Sequence, residues 1–170
     1  MREAICRATA VVAAIVCVIG APAVTGAKIT NHESPENWIA KRIFDPFHNE
    51  TRCVVETPKQ KIADGRQDTT IYLRVDGKSL LVLTESNVDL NHPDVGIRVD
   101  DGDLIKPDKA YLDQNVLFES GAASIISQFK AGLKVDVSLR YWPTWPSTGL
   151  KTATFSLIGF TRAFARLPGC

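Results

Sequence analysis

The fold is decided at residues 70–84, which read TIYLRVDGKSLLVLT. Two runs rich in β-branched and aliphatic residues flank Asp76-Gly77 in this stretch. The Asp-Gly pair accepts the positive φ angles that a tight hairpin turn requires. An antiparallel β-hairpin is therefore predicted here.

The same period of two recurs on both sides of the hairpin. It is clearest in residues 134–141, where Val135, Val137 and Leu139 alternate with polar or charged residues. Short strands separated by turn residues are typical of a β-sandwich. The further strands are predicted at residues 51–57, 95–99, 115–119, 134–141 and 152–157.

Two other regions are predicted to be irregular. Residues 28–50 form a polar lead-in, in which Trp38 and Phe44 are expected to anchor into the core. Residues 59–66 are expected to form a charged loop.

Two stretches change from a period of two to helical spacing. Ala122, Ile125, Ile126, Phe129 and Leu133 share this spacing, and Gly132 is placed to end a helix. The second set, which Pro168-Gly169 ends, comprises Phe160, Ala163, Phe164 and Leu167, with Arg162 and Arg166 on the other face. The predicted fold is a mainly β, single-domain antiparallel β-sandwich with two short amphipathic helices over the sheet ends.

The first 27 residues predict export. Arg2 and Arg7 precede the apolar run 10–19, and the small residues Thr25-Gly26-Ala27 follow it. This order is typical of a secretory signal peptide. The run is about half the ~20 residues of a membrane-spanning helix, so cleavage is preferred over an uncleaved anchor. The mature chain is expected to begin at Lys28, with Val24 as the alternative.

Removal of residues 1–27 leaves residues 28–170, predicted to be one domain with balanced charge. The chain has 20 Lys and Arg and 19 Asp and Glu, and the segment removed holds two of the basic and one of the acidic residues. Eighteen of each sign remain. A neutral, mixed chain lacks the basic stripe of a nucleic-acid or anionic-membrane binder, so no nucleic acid and no stable membrane anchor are predicted.

Cysteine usage agrees with an exported chain. Cys6 and Cys17 fall in the signal, which leaves Cys53 and Cys170. Two cysteines in an oxidising compartment most simply form one disulfide, and a periplasmic or secreted location is predicted. A reactive Cys53 near His48 is the alternative.

The sequence contains no Gly-x-Ser-x-Gly, His-Glu-x-x-His or Cys-x-x-Cys motif and no Gly-rich phosphate loop. His32, His48 and His92 lie in loop-like surroundings, and a metal site that the fold assembles from them is the alternative. The acidic run 100–103 is expected to be a solvated turn rather than a calcium loop, since it lacks the alternating ligands and closing Glu. No catalytic residue, metal or cofactor is predicted.

The segment Tyr141-Trp142-Pro143-Thr144-Trp145-Pro146 follows the strand 134–141 and combines three aromatic residues with two prolines. Rigid aromatic side chains bury much area at little entropic cost, as binding surfaces require. The binding residues are predicted to be Trp142 and Trp145, supported by Tyr141 and Arg140. The alternative is that both tryptophans cap the sandwich core.

Three pieces of the chain occur in a recognisable order: VGIRVDDG at 95–102, IISQFKAG at 125–132 and FSLIGFTRA at 155–163. This order resembles the invasion-associated locus B family of exported proteobacterial proteins with a small, mostly β domain. The resemblance implies a fold and a compartment, and it transfers no catalytic residue.

Three functions are compatible with these observations. The first is an exported, non-enzymatic binding or accessory protein that contacts another protein of the cell envelope. The second is a periplasmic inhibitor or immunity-type protein that blocks an envelope-targeted enzyme. The third is a small hydrolase with a site that sequence motifs do not reveal.

Overall fold

The computed structural model describes residues 37–45, 49–142 and 149–170, which belong to one compact unit. The strands are β1 (Ile39–Asp45), β2 (Glu50–Glu56), β3 (Gln60–Ala63), β4 (Asp68–Val75), β5 (Leu80–Thr84), β6 (Gly96–Val99), β7 (Lys109–Tyr111), β8 (Asn115–Phe118), β9 (Lys134–Leu139) and β10 (Lys151–Ser156). The helices are α1 (Ala122–Ala131) and α2 (Phe160–Phe164), followed by a 3-10 turn at Leu167–Gly169.

The strands form two antiparallel sheets. The larger, seven-stranded sheet has the order β1-β2-β4-β5-β8-β7, with β3 also paired to β4. The smaller sheet has the order β10-β9-β6. The predicted mainly β sandwich with two short helices is confirmed.

The predicted hairpin is the β4–β5 pair, in which Val75 lies opposite Leu80. Gly77 adopts a φ of 90° in the turn, a conformation that glycine takes without a steric cost. The Asp76 carboxylate accepts hydrogen bonds from the Lys78 and Ser79 backbone N–H groups at 2.9 and 2.8 Å. Local residue chemistry therefore sets the register of this hairpin.

The core lies between the two sheets and under the helices. Ile71, Leu73 and Val82 face it from the larger sheet, and Val135 and Val137 face it from the smaller one. An aromatic cluster closes one side, with ring centroids 4.8 Å apart for Trp38–Phe160 and 5.4 Å for Phe129–Phe160. Trp38 is thus the core anchor that the sequence predicts.

Two regions predicted as irregular form strands instead. Residues 39–45 pair with β2 along their whole length, and Phe44 is 61% exposed, so its prediction as a core anchor was wrong. Within the predicted charged loop, residues 60–63 pair with β4. Both strands gain their backbone hydrogen bonds from the strand that follows them in the chain, and their own composition does not reveal this pairing.

The helices are shorter than their apolar spacing predicts. Helix α1 ends at Ala131, so Leu133 lies beyond it and is exposed, contrary to the prediction. Gly132 is the C-cap, as predicted, but its φ is −85°. A Cβ at Gly132 would lie 2.6 Å from Cγ1 of Val99, so close packing explains the glycine. Leu167, assigned by its spacing to the second helix, lies in the 3-10 turn after α2.

The cysteine prediction is confirmed at the level of geometry. The Sγ atoms of Cys53 in β2 and of Cys170 lie 2.23 Å apart, which is disulfide distance. No helix within the described ranges is long and apolar enough to cross a membrane.

Candidate binding site

The segment after β9 places neighbouring aromatic residues in opposite environments. Tyr141 is fully buried, and it forms an isolated antiparallel bridge with Val88. Trp142 is 56% exposed, and its backbone N–H donates to the Asn87 carbonyl at 2.8 Å. Trp142 therefore does not cap the core. Trp145 lies outside the described residues.

Arg140 anchors the strand end beneath this segment. Its Nε and Nη2 atoms donate to the two carboxylate oxygens of Asp94, at 2.9 and 2.5 Å. This bidentate hydrogen bonding lowers the pKa of Asp94 and raises that of Arg140. The Asp89 backbone N–H also donates to the Arg140 carbonyl, at 2.8 Å. Arg140 thus holds the loop that precedes β6 against the end of β9.

A polar cluster stands near the buried Tyr141 ring. The Thr69 and Thr84 hydroxyl oxygens lie 3.2 Å apart, and the Ser86 hydroxyl donates to Asp64 at 2.7 Å. Burial raises the pKa of Tyr141 to about 12, and the Asp64 carboxylate adds to this while the Thr84 hydroxyl opposes it. Burial also acts to raise the pKa of Asp64, but hydrogen bonds from Gln67, Ser86 and Arg66 outweigh it and lower that pKa. These polar contacts surround Tyr141, the buried residue that precedes Trp142.

A second exposed apolar group lies at the same end of the molecule. Tyr111 and Leu112, at the turn between β7 and β8, are both exposed. The turn is tied to the Trp142 support, since the Val88 N–H donates to the Asp113 carbonyl at 2.7 Å. We call Tyr111, Leu112 and Trp142 the end surface. Sequence reasoning missed Tyr111 and Leu112 because β7 is too short to show a period.

The histidines and cysteines predicted as alternative sites are placed as follows. His92 Nε2 lies 3.3 Å from Oδ2 of Asp89, while His32 and His48 fall outside the described residues. Among residues 37–45, 49–142 and 149–170, no group of three or more His, Cys, Asp or Glu residues could hold a metal ion. Cys53 is paired with Cys170, which does not favour a reactive thiol there.

The acidic run 100–103 has a structural use at its first position. Oδ1 of Asp100 accepts hydrogen bonds from the backbone N–H groups of Leu133 and Lys134, at 3.1 and 3.0 Å. Its own φ is 49°, in the left-handed region that Asp tolerates better than most residues. Asp100 therefore joins the turn after β6 to the start of β9.

No family model, no curated protein and no solved structure matches this chain. The resemblance to the invasion-associated locus B family stays a prediction from the quoted residues.

Proposed function

We propose that this chain is an exported, non-enzymatic binding protein of the cell envelope that contacts a protein partner through Trp142. The observation that carries the proposal is the exposure of Trp142 directly beside a fully buried, anchored Tyr141. Tyr141 and Arg140 act as supports, as the sequence predicts for them, and Trp142 makes the contact.

The energetic reason for choosing Trp142 is that the residues of an interface contribute unequally to the binding energy. A few residues carry most of the binding energy, and tryptophan is the type most enriched among them. Binding also costs the entropy of ordering side chains and loops. The backbone up to and including Trp142 is already held, by Val88, Asn87 and the Arg140–Asp94 pair. A tryptophan on such a support gives up little further freedom when a partner covers it.

Two observations support an exported compartment for this activity. Residues 1–27 have the order of a secretory signal. Cys53 and Cys170 lie at disulfide distance, and disulfides persist mainly in oxidising compartments such as the periplasm. We propose the periplasm, in line with the family that the chain resembles.

The test compares partner capture with folding for one substitution. The mature chain with Trp142→Ala is used beside the unchanged chain to capture proteins from periplasmic extract, and the captured protein is then purified and titrated. We expect Trp142→Ala to weaken binding by ~2 kcal/mol or more, as truncation of an interface anchor does. Its thermal midpoint should stay close to that of the unchanged chain, because the indole is mostly in water.

Ile158→Ala is the matched control, since Ile158 is also a large exposed apolar residue away from the end surface. It should bind like the unchanged chain. Equal binding by Trp142→Ala and the unchanged chain would refute the proposal, and Trp145→Ala tested in parallel would show whether the second tryptophan contributes. A captured enzyme that loses activity in the complex would favour the inhibitor alternative.

A further inference from the structure

The larger sheet carries an apolar groove on the face turned away from the core. The groove has a volume of about 400 Å³, and its apolar lining includes Ile43, Val54, Leu81, Leu83, Leu112 and Leu117. Its other lining residues also belong to this sheet or flank its strands, from β1 at one edge to β7 at the other. Since both edge strands contribute, the sheet curves around the groove.

The central strand β5 of this sheet is apolar on both faces. In β5, Leu80 and Val82 point into the core, while Leu81 and Leu83 line the groove. Val54 shows that the groove has depth, because it is only 1% exposed although it does not belong to the core cluster. An antiparallel sheet with one solvated face normally carries polar residues there. The leucines of this face therefore indicate a ligand surface.

The backbone at Leu112 adds a second observation. Leu112 lies at the tip of the β7–β8 turn, is 67% exposed and has a φ of 53°. This left-handed conformation is unfavourable for a bulky side chain, and glycine or asparagine normally occupies it. Strained residues of this kind cluster at ligand-binding sites. The turn therefore places the large apolar side chain of Leu112 in the groove lining although its left-handed backbone conformation is unfavourable.

The charges around the groove are balanced. Its charged lining residues pair with groups of opposite sign: Arg74 with Glu56 (2.5 Å), Arg52 with Asp76 (3.4 Å) and Lys109 with Glu119 (3.9 Å). Matched pairs of this kind produce little net field for either an anionic or a cationic group. The groove therefore favours a ligand that it binds through an uncharged, apolar part.

We propose that this groove binds a single acyl chain of an amphiphile and leaves its head group in solvent. The volume of about 400 Å³ suits one small ligand, since such pockets span ~300–1,000 Å³. A stable protein interface buries about 800 Å² on each partner, which a groove of this size does not offer by itself. The aliphatic lining matches an alkyl chain. The groove shares Tyr111 and Leu112 with the end surface but does not include Trp142, which carries the proposed partner contact.

The test uses the mature chain and two probes with the same chain: the fluorescent fatty acid cis-parinaric acid and its uncharged methyl ester. Both should bind with similar affinity, and neither affinity should change between low and high salt, because the head group is not recognised. Leu83→Thr combined with Leu117→Thr, which keeps β propensity while removing apolar surface, should weaken both by about tenfold or more. Leu133→Thr is the control, since Leu133 is exposed outside the groove and should bind like the unchanged chain.

Leu112→Gly keeps the proposal testable if the double substitution prevents folding. Glycine accepts the left-handed φ, so this variant should fold at least as well as the unchanged chain while binding the probes more weakly. Trp142→Ala should leave probe binding unchanged, so the groove and the partner contact can fail separately. Absence of probe binding, full affinity in both groove variants, or binding of the acid alone that salt abolishes would overturn the proposal.

Discussion

At the scale of single residues, the phase of β9 decides which aromatic residue faces solvent. Side chains alternate between faces along a strand, and Val135, Val137 and Leu139 all point into the core. The same phase carried forward places Tyr141 inside and Trp142 outside, as the structure shows. The period of the strand was visible in the sequence, and extending it by one step distinguishes the exposed tryptophan from the core tyrosine.

The buried Tyr141 predicts a specific loss of stability at alkaline pH. Its pKa is raised from an ordinary value of 10.0 to about 12. Below pH 10 the phenol is neutral in both states, so its contribution to stability is complete there. Between pH 10 and about 12 the unfolded chain ionises first and binds fewer protons, so the free energy of unfolding falls as the pH rises, by roughly 1.4 kcal/mol per unit at most for this group.

Urea unfolding at a series of pH values from 9 to 11.5 measures this slope. Tyr141→Phe removes the titrating group while keeping the ring in the core, so its free energy of unfolding should fall less steeply over this range. Tyr111→Phe, at an exposed tyrosine, controls for the loss of one tyrosine hydroxyl. Identical slopes for the unchanged chain and Tyr141→Phe would show that the Tyr141 phenol does not stay neutral in the folded state.

At the scale of elements, strands with strong local patterns were predictable, whereas β1, β3 and β7 were not. The β4–β5 hairpin and β9 combine alternation with turn residues, and both were predicted near their observed bounds. Strand β3 reads Gln-Lys-Ile-Ala and has no local signature, yet it pairs with β4 through four residue positions. Its conformation follows from a partner strand rather than from its own residues, as β propensity generally does.

The groove was partly visible in the sequence as well. Residues 80–83 are four consecutive aliphatic residues, a run expected of a strand covered on both faces. That run predicts a second apolar surface beside the core. It does not reveal the curvature that turns the surface into a groove, because curvature depends on how β1 and β7 are placed at the two edges of the sheet.

The start of β6 is expected to be sensitive to a single added methyl group. Strand β6 begins at Gly96, where a Cβ would lie 2.3 Å from the Ile105 carbonyl oxygen. The neighbouring Ile97 and Ile105 exchange backbone hydrogen bonds of 3.0 and 2.8 Å, so the contact cannot relax without breaking that bridge. Gly96→Ala should lower the free energy of unfolding by about 1–3 kcal/mol, as overpacking of a close contact does.

Urea denaturation monitored by tryptophan fluorescence measures the effect of Gly96→Ala. The matched control is Gly169→Ala, because a Cβ at Gly169 meets no atom within 4 Å. A Gly96→Ala variant as stable as this control would mean that the 96–105 contact opens easily, and the close approach would then have no structural role.

At the scale of the whole molecule, two sheets, two short helices and one covalent link close a single core. The alternation, the turn residues and the cysteine arithmetic predicted the sandwich and the Cys53–Cys170 pair. The end surface could be predicted only at Trp142, because Leu112 reaches it through the pairing of β7 with β8. Sites assembled from distant strands depend on packing that one strand does not encode.

The link between Cys53 and Cys170 spans 117 residues and therefore constrains the unfolded chain strongly. Loop-closure entropy gives about 4.7 kcal/mol for a loop of ~100 residues, and residual denatured-state structure reduces this. Replacing both cysteines, Cys53→Ala with Cys170→Ala, should lower the free energy of unfolding by about 2–5 kcal/mol. Urea unfolding measures the loss, and its slope should rise because the unlinked chain exposes more surface when unfolded.

Removal of the link could also lower the free energy of unfolding locally, by releasing the C-terminal turn, and a truncation distinguishes this from an effect on the unfolded chain. Cys170 directly follows the 3-10 turn Leu167–Gly169, and Arg42 of β1 donates to its carbonyl oxygen, so loss of the link could release only that turn. Truncation before Leu167 in the cysteine-free chain removes that turn. If the link acts through the unfolded chain, the turn stays packed without it, so truncation should cost stability beyond the double substitution, because it removes the partly buried Leu167 from the core. No further loss would instead show that the double substitution had already released the turn, and would place the stabilisation in the packing of the C-terminal turn against β2.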